Sequence, residues 1–376
     1  MSDHPILPLE LMTTSLWDIE RFVEKNLPAR AALEEEIRQR ANAHDIDPKV
    51  YAKRFRRRFV AIEFHEITSS LIFECALIYQ VARIASEKIR DLRDRAERGQ
   101  TNLAVEAKPD FWKSLLTKGD IISQRIIIRL LTNRLFPDDV YVAEEGDTDI
   151  GDPRKAHIYI DPIDGTSHYK KGDGKYAVTV ARYSSRGIIG IIVRPEIGDL
   201  HFVIIRHANK AMLAVRQPEA EYFDRSDGMG ELLSVSNTQK VEGARIQVCQ
   251  PDNYSEIAKA LTDAGFVVEK AGPCTFACIA VASGQVDAYV APGGWGEDGT
   301  KHPNWKWDFG AGGPLIEAAG GKTTQISGAP LTLNHTSFLA SNGYEPLHWR
   351  LIEVLTPFTP ANNFGLPREK WRPSKK

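Results

Sequence analysis

At 376 residues the chain is too long for a single minimal core and fits one large or two medium domains. Its 42% hydrophobic and 26% charged residues are those of an ordinary globular protein, so it is expected to fold as a compact body. The formal net charge of −2 supplies no global attraction for nucleic acid or an anionic membrane, and any anionic ligand must be held by a local site. Cys75, Cys249, Cys274 and Cys278 contain no C-x-x-C pair, which points to a reducing compartment and to small core residues rather than a thiolate metal site. Residues 1–11 lack the basic start and apolar centre of a signal peptide, and no run approaches the roughly 18 apolar residues of a membrane span. The expectation is a cytoplasmic protein with neither a membrane nor a nucleic-acid polymer as partner.

Residues 1–62 read as an N-terminal extension with helical patterning over 15–25 and 31–43 and a basic cluster at Arg54, Arg56, Arg57 and Arg58. Phe55 and Phe59 lie four apart on one helical face, so the arginines are read as lining a solvated or intersubunit side. Residues 64–95 keep an apolar stripe through Leu71, Phe73, Ile78, Val81 and Ile84 with no internal Gly or Pro, which predicts a long packing helix. Pro109 and Gly119 interrupt the pattern, and a second helix is expected over 121–135 with Asp120 as its N-cap or first-turn acid. The short strand Val140-Tyr141-Val142-Ala143 then runs into Glu144 and Glu145. Neighbours in a strand point to opposite faces, so only one of these glutamates can reach a given cation. Asp147, Asp149 and Asp152 continue as solvated turn residues.

The chain is organised around His157-Ile158-Tyr159-Ile160-Asp161-Pro162-Ile163-Asp164-Gly165-Thr166-Ser167-His168-Tyr169. A β-branched run that stops at two acids reads as a strand delivering carboxylates to a turn, with Gly165 and Thr166 opening the next element. Two ionised carboxylates in one cleft repel, so either one stays protonated or a cation lies between them. Mg²⁺ takes one or two carboxylates, carbonyl oxygen and waters, and a turn stiffened by Pro162 can aim Asp161, Asp164 and the Ile163 carbonyl at one point. Free amides at Gly165 and Thr166 would then face a phosphate.

Beyond it, residues 176–183, 187–194, 200–206 and 211–215 alternate or run apolar between turn signals, which predicts an antiparallel meander. From 244 onward the rhythm becomes α/β, with strands over 244–249, 266–269 and 286–290 and helices over 254–264 and 274–283. Trp305-Lys306-Trp307-Asp308 opens a Gly- and Ala-rich helix closed by Gly320-Gly321, and the dipole favours a carboxylate at its start.

These three acidic pieces, in this order, resemble the inositol monophosphatase superfamily, which includes the bisphosphate nucleotidases and, more distantly, the fructose bisphosphatases. The resemblance covers about residues 64–355 and includes Thr117-x-x-Asp120 as the family's Thr-x-x-Asp. It implies an α/β (α+β) fold, a layered αβαβα sandwich behind the helical extension. One domain, over 63–240, would carry the Glu-Glu and Asp-Pro-Ile-Asp-Gly-Thr motifs, and a second, over 241–376, the Trp-Asp motif and a substrate lid. The activity implied is Mg²⁺-dependent hydrolysis of a phosphate monoester. Two or three ions held by Glu144, Asp161, the Ile163 carbonyl, Asp164 and Asp308 would neutralise the phosphate, activate water and stabilise the leaving alkoxide. In the family's scheme Glu144 with Thr166 and Asp120 orients and deprotonates the attacking water, Asp164 helps to protonate the leaving oxygen, and Glu145 supports Glu144. Lys108 and Lys113 are both candidates for the family's mobile-loop lysine.

The departures bear on substrate. The family usually follows its Gly-Thr with x-Asn-(Phe/Tyr), whereas Ser167-His168-Tyr169 stands here, and His168 either replaces the Asn contact or packs. Gly272-Pro273-Cys274-Thr275 stands where inositol-specific members carry Gly-Thr/Ser-Ala-Ala, which puts myo-inositol phosphate in doubt. The stretch 292–306 is long and should overhang the substrate. Trp295, Lys301, His302, Trp305 and Lys306 within it either form a solvated flap or meet a ring and a second negative group. The candidate phosphate and substrate contacts are Gly165, Thr166, Ser167, His168, Gly272 and Lys306. The favoured reading is a homodimeric phosphatase for a sugar, polyol or nucleotide-linked ester, with a bisphosphate nucleotidase acting on 3′-phosphoadenosine-type compounds as the alternative. A non-catalytic phosphate-ligand binder or regulatory subunit is the rival from another class. It would be expected to have lost an acidic ligand, and none is lost.

Overall fold

The computed structural model describes residues 69–107, 115–145, 152, 154–207, 211–218, 231–249, 255–295, 301–302, 306–331 and 337–359. The N-terminal extension with its patterned segments over 15–25 and 31–43 and its basic cluster, Lys108, Lys113, Asp147, Asp149 and Trp305 lie outside the described residues, as do the side chains of Trp295, Lys301 and His302.

Helix α1 (Ser69–Glu97) repeats Leu71, Cys75, Ile78, Ala82, Ala85, Ile89 and Leu92 at alternating steps of four and three, which gathers them on one buried stripe. The short strands β1 (Glu106–Ala107) and β2 (Leu115–Leu116) pair antiparallel and lead into α2 (Lys118–Leu130). Thr117 is the N-cap of α2 and Asp120 its third residue, in a capping box that starts the helix three residues ahead of the apolar pattern. At the other end the chain widens into a π-turn over Leu131–Leu135 instead of continuing as α-helix.

Strand β3 (Val140–Ala143) lies parallel to β4 (His157–Asp164), and the short helix α3 (Thr166–Lys171) follows. The predicted meander is present as β5 (Ala177–Ser184), β6 (Gly187–Arg194), β7 (Asp199–Arg206) and β8 (Ala211–Pro218), with β9 (Glu231–Leu232) at the edge. The result is a seven-stranded sheet in sequential order from β3 to β9.

The second sheet has five strands. Parallel strands β10 (Arg245–Val248), β11 (Val267–Lys270) and β12 (Ala288–Ala291) are linked by the crossover helices α4 (Ser255–Asp263) and α5 (Cys274–Ala282). A hairpin of β13 (Gly294–Trp295) and β14 (Lys301–His302) occupies the stretch expected as a long loop. Helices α6 (Lys306–Gly310) and α7 (Gly312–Ala318) are separate pieces, so the single helix expected after Trp307 is broken at Ala311. Pro314 accounts for the break: it has no N–H to give the Gly310 carbonyl and is tolerated only in the first turn of a helix, where it stands as the third residue of α7. Strands β15 (Lys322–Thr324) and β16 (Phe338–Ser341) complete the sheet in the order β11-β10-β12-β16-β15, and α8 (Glu345–Leu355) covers it.

Period-two patterning divides the buried residues among three cores. On the seven-stranded sheet Ile158, Ile160, Val178, Val180, Ile189 and Ile191 meet α1 and α2. Tyr159, Ala181, Ile192 and Val203 face the other way and meet Cys278 of α5, Phe309 of α6 and Leu315 of α7, with Tyr289 and Phe338 of the second sheet behind them. The far face of that sheet, Ile246, Val248, Val290 and Leu339, packs on Ile257 and Leu261 of α4 and Leu347 and Leu351 of α8. Helix, sheet, helix, sheet, helix is the αβαβα sandwich that the resemblance implied. Among the described residues no helix is long and apolar enough to cross a membrane.

Candidate active site

In an unbroken strand Asp161 and Asp164, three apart, would point to opposite faces. The pairing of β4 with β5 prevents this. Asp161 stands opposite Thr179 and Asp164 opposite Ala177, so β4 advances three residues while β5 moves two. The extra residue is a bulge that resets the alternation, and both acids emerge toward the middle helical layer. Pro162 sits inside the bulge, where its missing N–H costs the ladder nothing, and its carbonyl accepts from Ser123 Oγ at 2.9 Å. The Ile163 amide donates to Asp161 Oδ1 at 3.0 Å and sets that carboxylate's orientation.

Asp308 reaches the same point from the first turn of α6. One oxygen from each of Asp161, Asp164 and Asp308 lies within 4.8 Å of the others. Asp161 and Asp164 are buried, and the Glu144 carboxyl is hydrogen-bonded to Asp161 from beyond the end of β3. Strand β3 stops at Ala143, so the opposite-face rule for a strand does not govern the two glutamates. The Glu144 amide donates to the Ile160 carbonyl at 3.1 Å, and the Glu145 amide to Gln124 Oε1 at 2.9 Å, with Gln124 Nε2 returning a bond to the Glu145 carbonyl. Asp152 is half-buried in the turn beyond and pairs with Arg154.

Burial, followed by the charges of Glu144, Asp164 and Asp308, holds the Asp161 carboxyl well above the usual carboxylate range. Burial and Glu144 push Asp164 up to about 7, against the opposing pull of amide donors from Thr275 and Cys274. A hard cation relieves this stress, and an all-oxygen donor set of carboxylates suits Mg²⁺ or a similar ion better than a soft metal.

Beside the acids, Gly165 turns the chain with φ of 87° and caps α3. The Thr166 hydroxyl lies 3.1 Å from both the Ile163 carbonyl and Asp120 Oδ1. Asp120 is fully buried, and its other oxygen accepts the Thr117 amide at 2.7 Å and hydroxyl at 2.6 Å. Ser167 is exposed on the first turn of α3. His168 Nδ1 pairs with Asp173 Oδ2 at 2.7 Å, so that face of the ring is taken within its own loop. Lys306 is half-buried two residues before Asp308, and burial lowers its ammonium pKa. Gly272 is exposed just ahead of Pro273, the N-cap of α5.

A model of the inositol monophosphatase family matches residues 73–357, the span that holds every one of these groups. The chain belongs to the inositol monophosphatase family. It is 26% identical over 297 residues to the chloroplastic phosphatase IMPL1 of Arabidopsis thaliana, covering 76% of this chain and 71% of that one. It is 24% identical over 261 residues to the fructose-1,6-bisphosphatase/inositol-1-monophosphatase of Thermotoga maritima, covering 67% and 86%. Among solved structures, the Thermotoga maritima IMPase superposes with a TM-score of 0.58 at 21% identity, covering 77% of this chain and 99% of that one, a likeness of fold. Family membership makes the protein a phosphatase of small phosphate esters, in a family whose members are typically metal-dependent.

Sequence reasoning passed over two features of this family member's site. Thr275 donates to Asp164 Oδ2 through its amide at 2.9 Å and again through its hydroxyl. The cysteines are not all remote core residues either. Cys75 and Cys278 are buried, but Cys249 and Cys274 are half-buried; burial raises the Cys249 thiol pKa, the Cys278 hydrogen bond and burial raise that of Cys274, and the nearby Asp308 and Asp164 charges add to both. A Thr in the first turn of a helix was a readable signal for the first. Nothing local signals the second, because Cys249 follows β10 and Cys274 opens α5, elements separated in the chain by α4 and β11.

Proposed function

We propose that the protein is a Mg²⁺-dependent phosphatase that transfers the phosphoryl group of a small monoester to water. The observation that carries this reading is the approach of Asp161, Asp164 and Asp308 to within 4.8 Å, with Asp161 and Asp164 buried and their charged forms disfavoured. Glu144, Asp161, the Ile163 carbonyl, Asp164 and Asp308 would hold two or three Mg²⁺ ions, which supply charge neutralisation for the phosphate and for the leaving oxygen. Glu144 and Thr166 flank the place of the attacking water. Asp120 acts through Thr166 by holding its hydroxyl. Asp164 has one oxygen committed to Thr275, so its Oδ1 is the atom that would serve the leaving-group side. The Gly165 and Thr166 amides, at a turn held open by positive φ, face the phosphate.

Lys306 favours an ester that bears a second negative group, such as a bisphosphate nucleotide of the 3′-phosphoadenosine type, over a neutral polyol phosphate. A half-buried ammonium whose charged form is disfavoured by burial gains most from an anionic partner. The test is release of inorganic phosphate from a panel of inositol, sugar, histidinol and 3′-phosphoadenosine esters, with and without Mg²⁺. Turnover that needs Mg²⁺ and peaks on one ester class supports the proposal. No turnover of any ester, or turnover indifferent to chelator, would overturn it.

A further inference from the structure

Thr275 is fully buried at the second position of α5, directly after Cys274 and the N-cap Pro273. At that position a helix leaves its amide without an intrahelical partner, and here the amide is given to Asp164 Oδ2 at 2.9 Å. The hydroxyl is given to the same oxygen. Both donors of one residue thus converge on one carboxylate oxygen, and the neighbouring Cys274 amide adds a further donor to the same carboxylate. The two residues stand 111 positions apart and belong to different layers, β4 in the seven-stranded sheet and α5 in the middle helical layer. Pro273 reinforces the join, since a Cβ added at Gly165 would lie 2.8 Å from its Cγ.

We propose that Thr275 is a positioning residue that fixes Asp164 as a one-oxygen ligand and so sets the affinity of the site for its divalent cation. The inference rests on the reading of Asp164 as a metal ligand. A carboxylate beyond a bulge has free rotation about its side-chain bonds unless a partner holds it. The Thr275 hydroxyl adds a second donor on Oδ2 to the amides of Thr275 and Cys274, and so narrows the range through which the carboxylate can turn. Partners of this kind, hydrogen-bonded to a metal-binding carboxylate, typically govern affinity by about ten- to a hundredfold.

The experiment uses the full chain, stripped of metal by chelation, as wild type, T275S, T275V and T275A. Free Mn²⁺ is read by electron paramagnetic resonance during titration, and circular dichroism reports the fold. Wild type and T275S should bind Mn²⁺ alike. T275V, which keeps the shape and the amide but lacks the hydroxyl, should bind about ten- to a hundredfold more weakly with an unchanged dichroism spectrum. T275A replaces T275V in the comparison if valine impairs folding. In Mg²⁺ activation curves the half-maximal Mg²⁺ concentration should rise by a similar factor, with little change in KM at saturating Mg²⁺. Wild-type binding matched by a folded T275V or T275A would overturn the role of Thr275 and leave the phosphatase reading standing. A wild-type protein that binds no Mn²⁺ would overturn the cation reading and this inference together.

Discussion

The Thr166 hydroxyl lies 3.1 Å from Asp120 Oδ1, joining the turn after β4 to the first turn of α2 across 46 positions of chain. Asp120 is therefore bound on both sides, by Thr117 through the capping box and by Thr166 from the acidic turn. The capping acid of one helix positions the hydroxyl that borders the site. Local helix chemistry and site geometry share one carboxylate.

Replacing Asp120 with Asn puts an amide nitrogen, which cannot accept, where an oxygen now receives Thr117 or Thr166. The site is fully buried, so a donor left unpaired there costs about 1–3 kcal/mol. Displacement of Thr166 should lower kcat by about a hundredfold. Urea denaturation and steady-state kinetics measure the two effects separately. Wild-type kcat in a destabilised D120N would show that Thr166 does not act on the reaction.

The acid cluster gives the metal-stripped protein a defined pH dependence. Asp161 and Asp164 have folded-state values above the unfolded value of about 3.9, so above that pH the folded protein binds more protons than the unfolded chain. Their contribution to stability therefore falls as pH rises, from near 3.9 through about 7 for Asp164. D161N removes one charge, so it should abolish turnover yet show a shallower fall in melting temperature between pH 5 and pH 8. Melts of chelated wild type and D161N, with Mg²⁺ added back to wild type, make the comparison. A steeper fall in D161N, or Mg²⁺-dependent turnover by it, would contradict the assignment.

Two glycines at the cleft should respond differently to alanine. Gly165 has φ of 87°, and an added Cβ would lie 2.6 Å from the Lys175 carbonyl oxygen, so G165A should lose about 2 kcal/mol or more along with activity. Around Gly272 the nearest atom to an added Cβ is Phe276 Cβ at 3.8 Å, an ordinary contact. G272A should hold its stability within about 0.5 kcal/mol, and a raised KM in that variant would report contact with substrate. Equal losses of stability in the two would refute the geometric distinction.

Lys306→Met keeps the length of the side chain and removes its charge. For an ester with a second anionic group, kcat/KM should fall by roughly ten- to a hundredfold, the worth of a charge-assisted bond of about 1.5–3 kcal/mol. For a small aryl phosphate it should change little, because that substrate offers Lys306 nothing to pair with. Equal losses on both substrates would place Lys306 in support of Asp308 instead of against the leaving group.

The elements that depend on neighbours in the chain were legible from residue pattern alone. Alternation predicted the meander of β5 to β8, and the α/β rhythm from 244 predicted β10, α4, β11, α5 and β12, with ends displaced by at most two residues except at β8, which runs three residues past the expected 215. The second helix was displaced further, because its start is set by the Thr117–Asp120 capping box and its end by a π-turn, neither of which follows the apolar stripe. The break at Ala311 was written in Gly312-Gly313-Pro314 and was outweighed by the run of helix-compatible small residues around it. The hairpin of β13 and β14 left no alternating pattern to read, since each strand is two residues long.

By itself, the sequence determined which residues are acidic, which of them end strands or open helices, and which face of each element is apolar, since these follow from side-chain chemistry and periods of 2 and 3.6. It also placed Pro162 between two acids where an apolar run ends, which reads as a turn, whereas β4 continues through it to Asp164 as a bulge. Only the tertiary structure decided that the bulge falls between Asp161 and Asp164 and turns both to one face, because the shift exists only relative to β5. Only packing brought Asp308 to those acids and Thr275 to Asp164 Oδ2. Apolar faces are interchangeable partners as far as local pattern goes. Which two meet depends on the shape and volume of the whole middle layer, and the distances among these polar groups follow from that meeting.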